Sequence, residues 1–96
     1  MPNMYIRLAQ GNVDPSRLDA YVAHVRTMIP NTSKRPGFRN AYHAVNRERA
    51  RSVIITIWDS QEQAPAGANA ESVARLQAEF GLQPEEIVGF EVMDQV

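Results

Sequence analysis

The chain has 96 residues, 44% of them hydrophobic and 22% charged, with a formal net charge of −1 and no cysteine. That length suits one domain spanning 1–96, and the balance of apolar and charged residues argues against disorder. Without thiols there is no disulfide, no cysteine nucleophile and no thiolate metal site. The opening MPNMYIRLAQG lacks a basic stretch followed by an apolar run, so no secretory leader is expected. No window approaches the ~18 consecutive apolar residues of a membrane span. The expectation is a cytoplasmic protein with no membrane partner.

Met4 to Ala9 alternates, with Met4, Ile6 and Leu8 on one face and Tyr5, Arg7 and Ala9 on the other, which predicts a strand. Gly11-Asn12 turns the chain. Asp14-Pro15 then opens a helix, an N-cap acceptor followed by proline at the first helical position. Leu18, Tyr21, Val22, Val25, Met28 and Ile29 recur at helical spacing as a core stripe, and Pro30 is expected to end the helix. A hairpin follows, with strands near Arg39–Val45 and Ser52–Trp58 around the tip NRERAR. Ser60 and Gln63 have capping-box spacing, but Pro65 and Gly67 weaken that start. The firmer helix runs over Ala70–Phe80 and stops at Gly81. A last strand is expected near Ile87–Met93.

The order β-α-β-β-α-β is the ferredoxin-like α+β arrangement, an antiparallel sheet with both helices on one face. Its second hairpin strand, Val53-Ile54-Ile55-Thr56-Ile57-Trp58, is bulky on both parities, whereas a sheet with one wet face alternates apolar and polar. Two short helices cover one face, so the other is expected to meet a second copy of the chain. Met4/Ile6/Leu8, Val53/Ile55/Ile57 and Val88/Phe90/Val92 form a purely apolar face, which the sequence reading assigns to the helices. The opposite face, with Tyr5, Arg7, Ile54, Thr56, Trp58, Gly89 and Glu91, is left for a partner sheet or a ligand. Lys34, Arg35, Arg39, Arg47, Arg49 and Arg51 crowd the middle of the chain with Glu48 as their acidic neighbour, while the segment after Trp58 is acidic. No aromatic is interleaved at the hairpin tip and the acidic half would repel a phosphate backbone, so no nucleic-acid partner is expected.

Pro36-Gly37-Phe38 entering the second strand, the arginine-rich hairpin, the strand exit Ile57-Trp58-Asp59-Ser60 and the element order together resemble the antibiotic biosynthesis monooxygenase-like domains of the dimeric α+β barrel superfamily. The resemblance covers nearly the whole chain. It implies a homodimer forming a dimeric α+β barrel, a ligand cleft between helices and sheet, and relatives that include cofactor-independent oxygenases of aromatic polyketides and quinol-like compounds. It also implies a test for haem. The haem-degrading relatives resemble one another in an asparagine on the first strand and a tryptophan and histidine on the second helix. Here the second helix holds neither, and Asn3 lies only at the strand edge. No cofactor is therefore expected.

Within that resemblance His43, mid-strand between Tyr42 and Ala44, is the best candidate base, because imidazole titrates near neutrality. A strand histidine is more commonly a half-buried hydrogen-bonding residue. Trp58 either packs at a helix-sheet or subunit junction or walls an aromatic substrate, and Tyr5 and Tyr42 extend the same choice. Arg7 and Arg39 are ion-pair partners at the rim or stabilisers of a substrate anion. Asn40 would hold a carbonyl or dioxygen. The tip leaves the hairpin register open, so either Arg39/His43 or Asn40/Tyr42 shares the face of Trp58. His24 falls beside the helix stripe as a surface or rim residue. Two histidines nineteen residues apart, with no His-x-His or His-x-x-x-His spacing, argue against a metal site, and no nucleophile elbow or glycine-rich phosphate loop is present.

Two functions compete, with an isomerase or lyase of the related dimeric barrels, using one histidine, as a third. One is a cofactor-independent monooxygenase acting on a small aromatic, quinol-type substrate. The other is a non-catalytic dimer that binds a small ligand or serves as an interaction module, for which the small-residue patch 64–70 would leave a cavity.

Overall fold

The computed structural model describes residues 4–65 and 70–96. Its elements are β1 (Tyr5–Asn12), α1 (Leu18–Thr32), β2 (Phe38–Asn46), β3 (Arg51–Trp58), α2 (Ala70–Phe80), β4 (Gln83–Pro84) and β5 (Val88–Glu91). Every strand pair is antiparallel. β3 lies between β2 and β1, while β4 and β5 pair with successive parts of the far edge of β1. This is the expected ferredoxin-like α+β architecture. No helix among the described residues is long and apolar enough to cross a membrane.

The helix signals act locally as their chemistry requires. The Asp14 carboxylate accepts from the Ser16 backbone N–H at 2.9 Å and Pro15 opens a short 3₁₀ turn, which leads into α1. Pro30 does not end that helix. α1 continues to Thr32 with Pro30 in its last turn, where the missing N–H costs one bond near a terminus that frays anyway. The helix beginning at Ser60 amounts to a single 3₁₀ turn, Gln61–Gln63. The C-terminal strand is broken into β4 and β5, with Glu85–Ile87 between them. Residues 66–69 of the small-residue patch, and Asn3, lie outside the described residues. Gly81 adopts φ +65° at the end of α2, the left-handed stop that glycine reaches without a Cβ clash.

The core shows which sheet face the helices cover, and it is the opposite of the sequence assignment. Val13, Leu18, Tyr21, Val25, Phe80 and Leu82 form the buried cluster, and Ile54 and Val45 pack against it from the sheet. Ile54 shares its parity with Ser52, Thr56 and Trp58, all three buried. The register then places Arg7 opposite Thr56, Ala9 opposite Ile54 and Tyr5 opposite Trp58 on that same helix-covered face. Ile6, Leu8, Val53, Ile55 and Ile57 point the other way. They are joined there by Tyr42, 57% exposed, and Phe90, 52% exposed. The reason for the reversal is physical. An unbroken apolar face reports that something covers it, not which body does so. The helix-side face tolerates arginine, serine and threonine because those groups find hydrogen bonds or line a cleft.

The basic hairpin is spread into ion pairs rather than one patch. Arg47 meets Asp19 at 2.8 Å, Arg51 meets Glu85 at 2.6 Å, and Arg39 pairs with Asp59. These pairs are largely exposed, so each is worth little in stability.

Candidate functional site

A cleft of about 640 Å³ opens between the helices and the covered sheet face. Its sheet wall is built from Arg7 on β1 and from Ser52, Ile54, Thr56 and Trp58 on β3. Tyr21, Met28 and Thr32 line it from α1, and Val73 and Leu76 from α2. This volume falls within the roughly 300–1,000 Å³ range of small-ligand sites. Arg7, opposite Thr56, lines the cleft with Arg35 nearby, while Glu85 and Glu86 line it farther along β1 beside Gln10.

Trp58 has no exposed surface. Its indole N–H donates to Thr56 Oγ1 at 2.9 Å, and Phe38 meets it edge-on with ring centroids 5.5 Å apart. The ring is thus fixed from both sides, and the donor expected for a substrate is already engaged. Trp58 therefore backs the cleft and holds Thr56 in place, with its ring covered by its neighbours.

The hairpin register settles which face His43 takes. His43 stands opposite Ile54 and so shares the face of Trp58, whereas Asn40 and Tyr42 stand opposite Ile57 and Ile55 on the outer face. His43 Nε2 lies 2.8 Å from Ser52 Oγ. The Ser52 hydroxyl also lies within hydrogen-bonding reach of the Tyr21 phenol, and the Tyr21 ring meets the imidazole edge-on at 5.9 Å. Three polar groups are therefore strung from the cleft wall into the sheet, in the order Tyr21, Ser52, His43. Burial, with a smaller contribution from the Arg26 charge, lowers the His43 pKa below its ordinary value. The imidazole is consequently neutral at pH 7 and able to accept a proton. Burial raises the Tyr21 phenol, and its bond to Ser52 partly offsets that rise.

Arg7 is the other polar group inside. Its Nε is buried with no hydrogen-bond partner among the described residues. Burial and then the nearby Arg35 charge lower the guanidinium pKa, though a group that begins so high stays charged. A buried N–H donor without an acceptor is costly, so a donor left open beside a cavity marks a place where a ligand acceptor fits.

The remaining sequence candidates lie elsewhere. Tyr5 is on the helix-covered face but does not line the cleft; its hydroxyl is pressed on Gly89, in the space an added Cβ would take. Arg39 sits in the β2 irregularity between Phe38 and Asn40 and turns to Asp59 at the rim. His24 packs against Phe80, ring centroids 5.3 Å apart. The sequence reading missed Ser52, Tyr21 and Arg35 as site residues. Ser52 carried a usable signal, a hydroxyl on the parity of Trp58 that it shares with Thr56. Tyr21 was hidden as one more member of a core stripe. Among the described residues no three histidine or acidic groups stand close enough to hold a metal ion.

No family model matches the sequence, and no curated protein matches it. Solved structures do. A provisionally named antibiotic biosynthesis monooxygenase from Nitrosomonas europaea superposes with a TM-score of 0.75 at 13% identity, covering 97% of this chain and 93% of its own. A conserved protein from Methanosarcina mazei Go1 gives 0.69 at 15% identity over 93% and 92% of the two chains. SnoaB, a cofactor-independent oxygenase from Streptomyces nogalater, gives 0.64 at 15% identity over 98% and 97%. The chain has the antibiotic biosynthesis monooxygenase-like fold. In that fold β1 and β3 supply Arg7 and Trp58 to the cleft, and β2 sets His43 behind them through Ser52. At such identities the likeness concerns the fold, and the chemistry rests on this chain's own residues.

Proposed function

We propose that this protein is a cofactor-independent monooxygenase acting on a small aromatic, quinol-type substrate held between the helices and the sheet. The observation that carries the reading is the Tyr21–Ser52–His43 chain at the wall of a cleft that also contains Arg7 and Trp58. The shared fold with SnoaB, described as a cofactor-independent oxygenase, adds support.

In this reading Ser52 Oγ takes a proton from the substrate as it passes its own to His43 Nε2. Transfer of this kind by a positioned base contributes roughly 10²–10⁴-fold. The low His43 pKa keeps the acceptor free at neutral pH. The positive charge of Arg7 favours the substrate anion that results. That anion's electron pair forms the carbon–oxygen bond to dioxygen, and the proton returns to give a hydroperoxide. Loss of the second proton from the same carbon, with cleavage of the O–O bond, gives a carbonyl and water. An anthrone methylene and dioxygen thus become a ketone and water, and a hydroquinone reacting at its ring C–H carbon likewise becomes a hydroxyquinone and water, with all four electrons coming from the substrate.

The same reading pairs two copies through the outer face, where Ile55, Tyr42 and Phe90 are available to a partner sheet. Exposed apolar area of this kind on one sheet face is what an obligate interface buries.

The test is oxygen uptake against a panel of hydroquinones, anthrones and flavonols with nothing else added. Saturable uptake that falls at least tenfold in His43→Ala and several-fold in Trp58→Phe is expected. A bound metabolite that stays unchanged in air, with flat traces across the panel, would point instead to a ligand-binding dimer.

A further inference from the structure

Arg7 and Arg35 raise a question that the oxygenase chemistry does not answer. A quinol is neutral when it binds, yet the cleft is lined in part by two guanidinium groups. Their charges act on each other, for Arg35 is among the causes that lower the Arg7 pKa. Bringing like charges together in a partly buried site is unfavourable by itself, and an anionic ligand between them reverses the sign of that term.

The shape of the open donor narrows the ligand further. It is the Arg7 Nε that is buried without an acceptor. The Nε and one Nη of a guanidinium form a flat edge whose two parallel N–H groups match the two oxygens of a carboxylate. We propose that the cleft takes an aromatic carboxylate, with its ring system lying between Ile54 and Leu76 and its carboxylate paired with Arg7 beside Arg35, a turn of the Arg7 side chain bringing its occluded Nε edge to the ligand. Farther along β1, beside Gln10, Glu85 and Glu86 also line the cleft, with Glu85 already paired to Arg51 at 2.6 Å. The Glu86 carboxylate repels the same group, which favours one orientation of the ligand. Two cations against one carboxylate leave one positive charge over, which remains to favour the anion formed during reaction.

This inference deepens the proposed function by naming the substrate class, and it is tested by binding alone, so the two fail separately. The probes are naphthalene-2-carboxylate and its uncharged isostere naphthalene-2-carboxamide, titrated calorimetrically into the anaerobic protein. The carboxylate is expected to bind at least tenfold tighter than the amide. Arg7→Gln should reduce that preference to within about twofold, and Arg35→Gln should reduce it partly. Arg7→Lys keeps the charge but loses the flat edge, and should recover only a fraction of the preference. Circular dichroism of each variant checks that it is folded. Equal binding of the two probes, no binding of either at millimolar concentration, or a preference that survives in folded Arg7→Gln overturns the inference. A carboxylate preference in a protein that consumes no oxygen would leave the ligand class standing and remove the oxygenase.

Discussion

Replacing Ser52 by alanine removes a single oxygen, but that oxygen is held by two partners. His43 Nε2 stands 2.8 Å from it, and the Tyr21 phenol shares it inside a side chain that is nearly fully buried. Leaving a buried polar group unsatisfied costs about 1–3 kcal/mol. The phenol, in the core, bears a cost within that range. The half-buried imidazole bears less because water reaches part of it. Removing the serine hydroxyl, itself buried, recovers part of its own desolvation. The net expectation is a loss of about 2 kcal/mol in urea unfolding, or roughly 8–16 °C in melting temperature for a chain of this size. A second readout separates hydrogen bonding from packing. The bond to Ser52 holds the Tyr21 pKa down against burial, so in Ser52→Ala the phenol should titrate at still higher pH. An alanine variant within 0.5 kcal/mol of the parent, with Tyr21 titrating as before, would refute the polar chain, a threshold set by ordinary surface substitutions.

Three further outcomes are expected. Because the folded His43 pKa is lowered, the unfolded chain binds the extra proton first as pH falls. Stability from this group is therefore complete above pH ~6.5 and declines as pH drops through the folded value, and His43→Gln should flatten that part of a stability–pH curve. Gly89→Ala places a methyl where the Tyr5 hydroxyl lies. It should displace the ring from β5 and destabilise by roughly 1–3 kcal/mol in chemical denaturation, whereas Gly89→Ala combined with Tyr5→Leu should recover part of the loss. Ile55→Glu on the outer face should convert a dimer into monomer in sedimentation velocity while leaving the fold intact by circular dichroism; a parent protein that sediments as a monomer at micromolar concentration removes the proposed pairing.

Much of the fold was legible because its signals are local. The Asp14-Pro15 start, the helical stripe from Leu18, the hairpin about NRERAR and the Gly81 stop each depend on a few neighbouring residues. What was not legible depended on which body covers which face. Ile6, Leu8, Ile55 and Phe90 look more like a core than Arg7, Ser52, Thr56 and Trp58 do, yet the second set lies under the helices. Its polar members are satisfied in ways that only the folded register creates, such as Trp58 bonding to Thr56 and Ser52 bonding to His43. The same register decided between His43 and the pair Asn40/Tyr42, which a one-residue slip would exchange. Pro30 shows the opposite limit, a strong local breaker outlasted by a helix whose earlier turns are held by packing.

The most direct test of the account follows dioxygen itself. Whichever compound in the uptake panel proves active would be turned over under ¹⁸O₂, with no cofactor present, by the parent protein and by Ser52→Ala and His43→Gln. The account predicts a product carrying one labelled oxygen, the second label recovered in water, and rates at least tenfold lower in both variants. A product oxygen derived from solvent, or variants as fast as the parent, would contradict it.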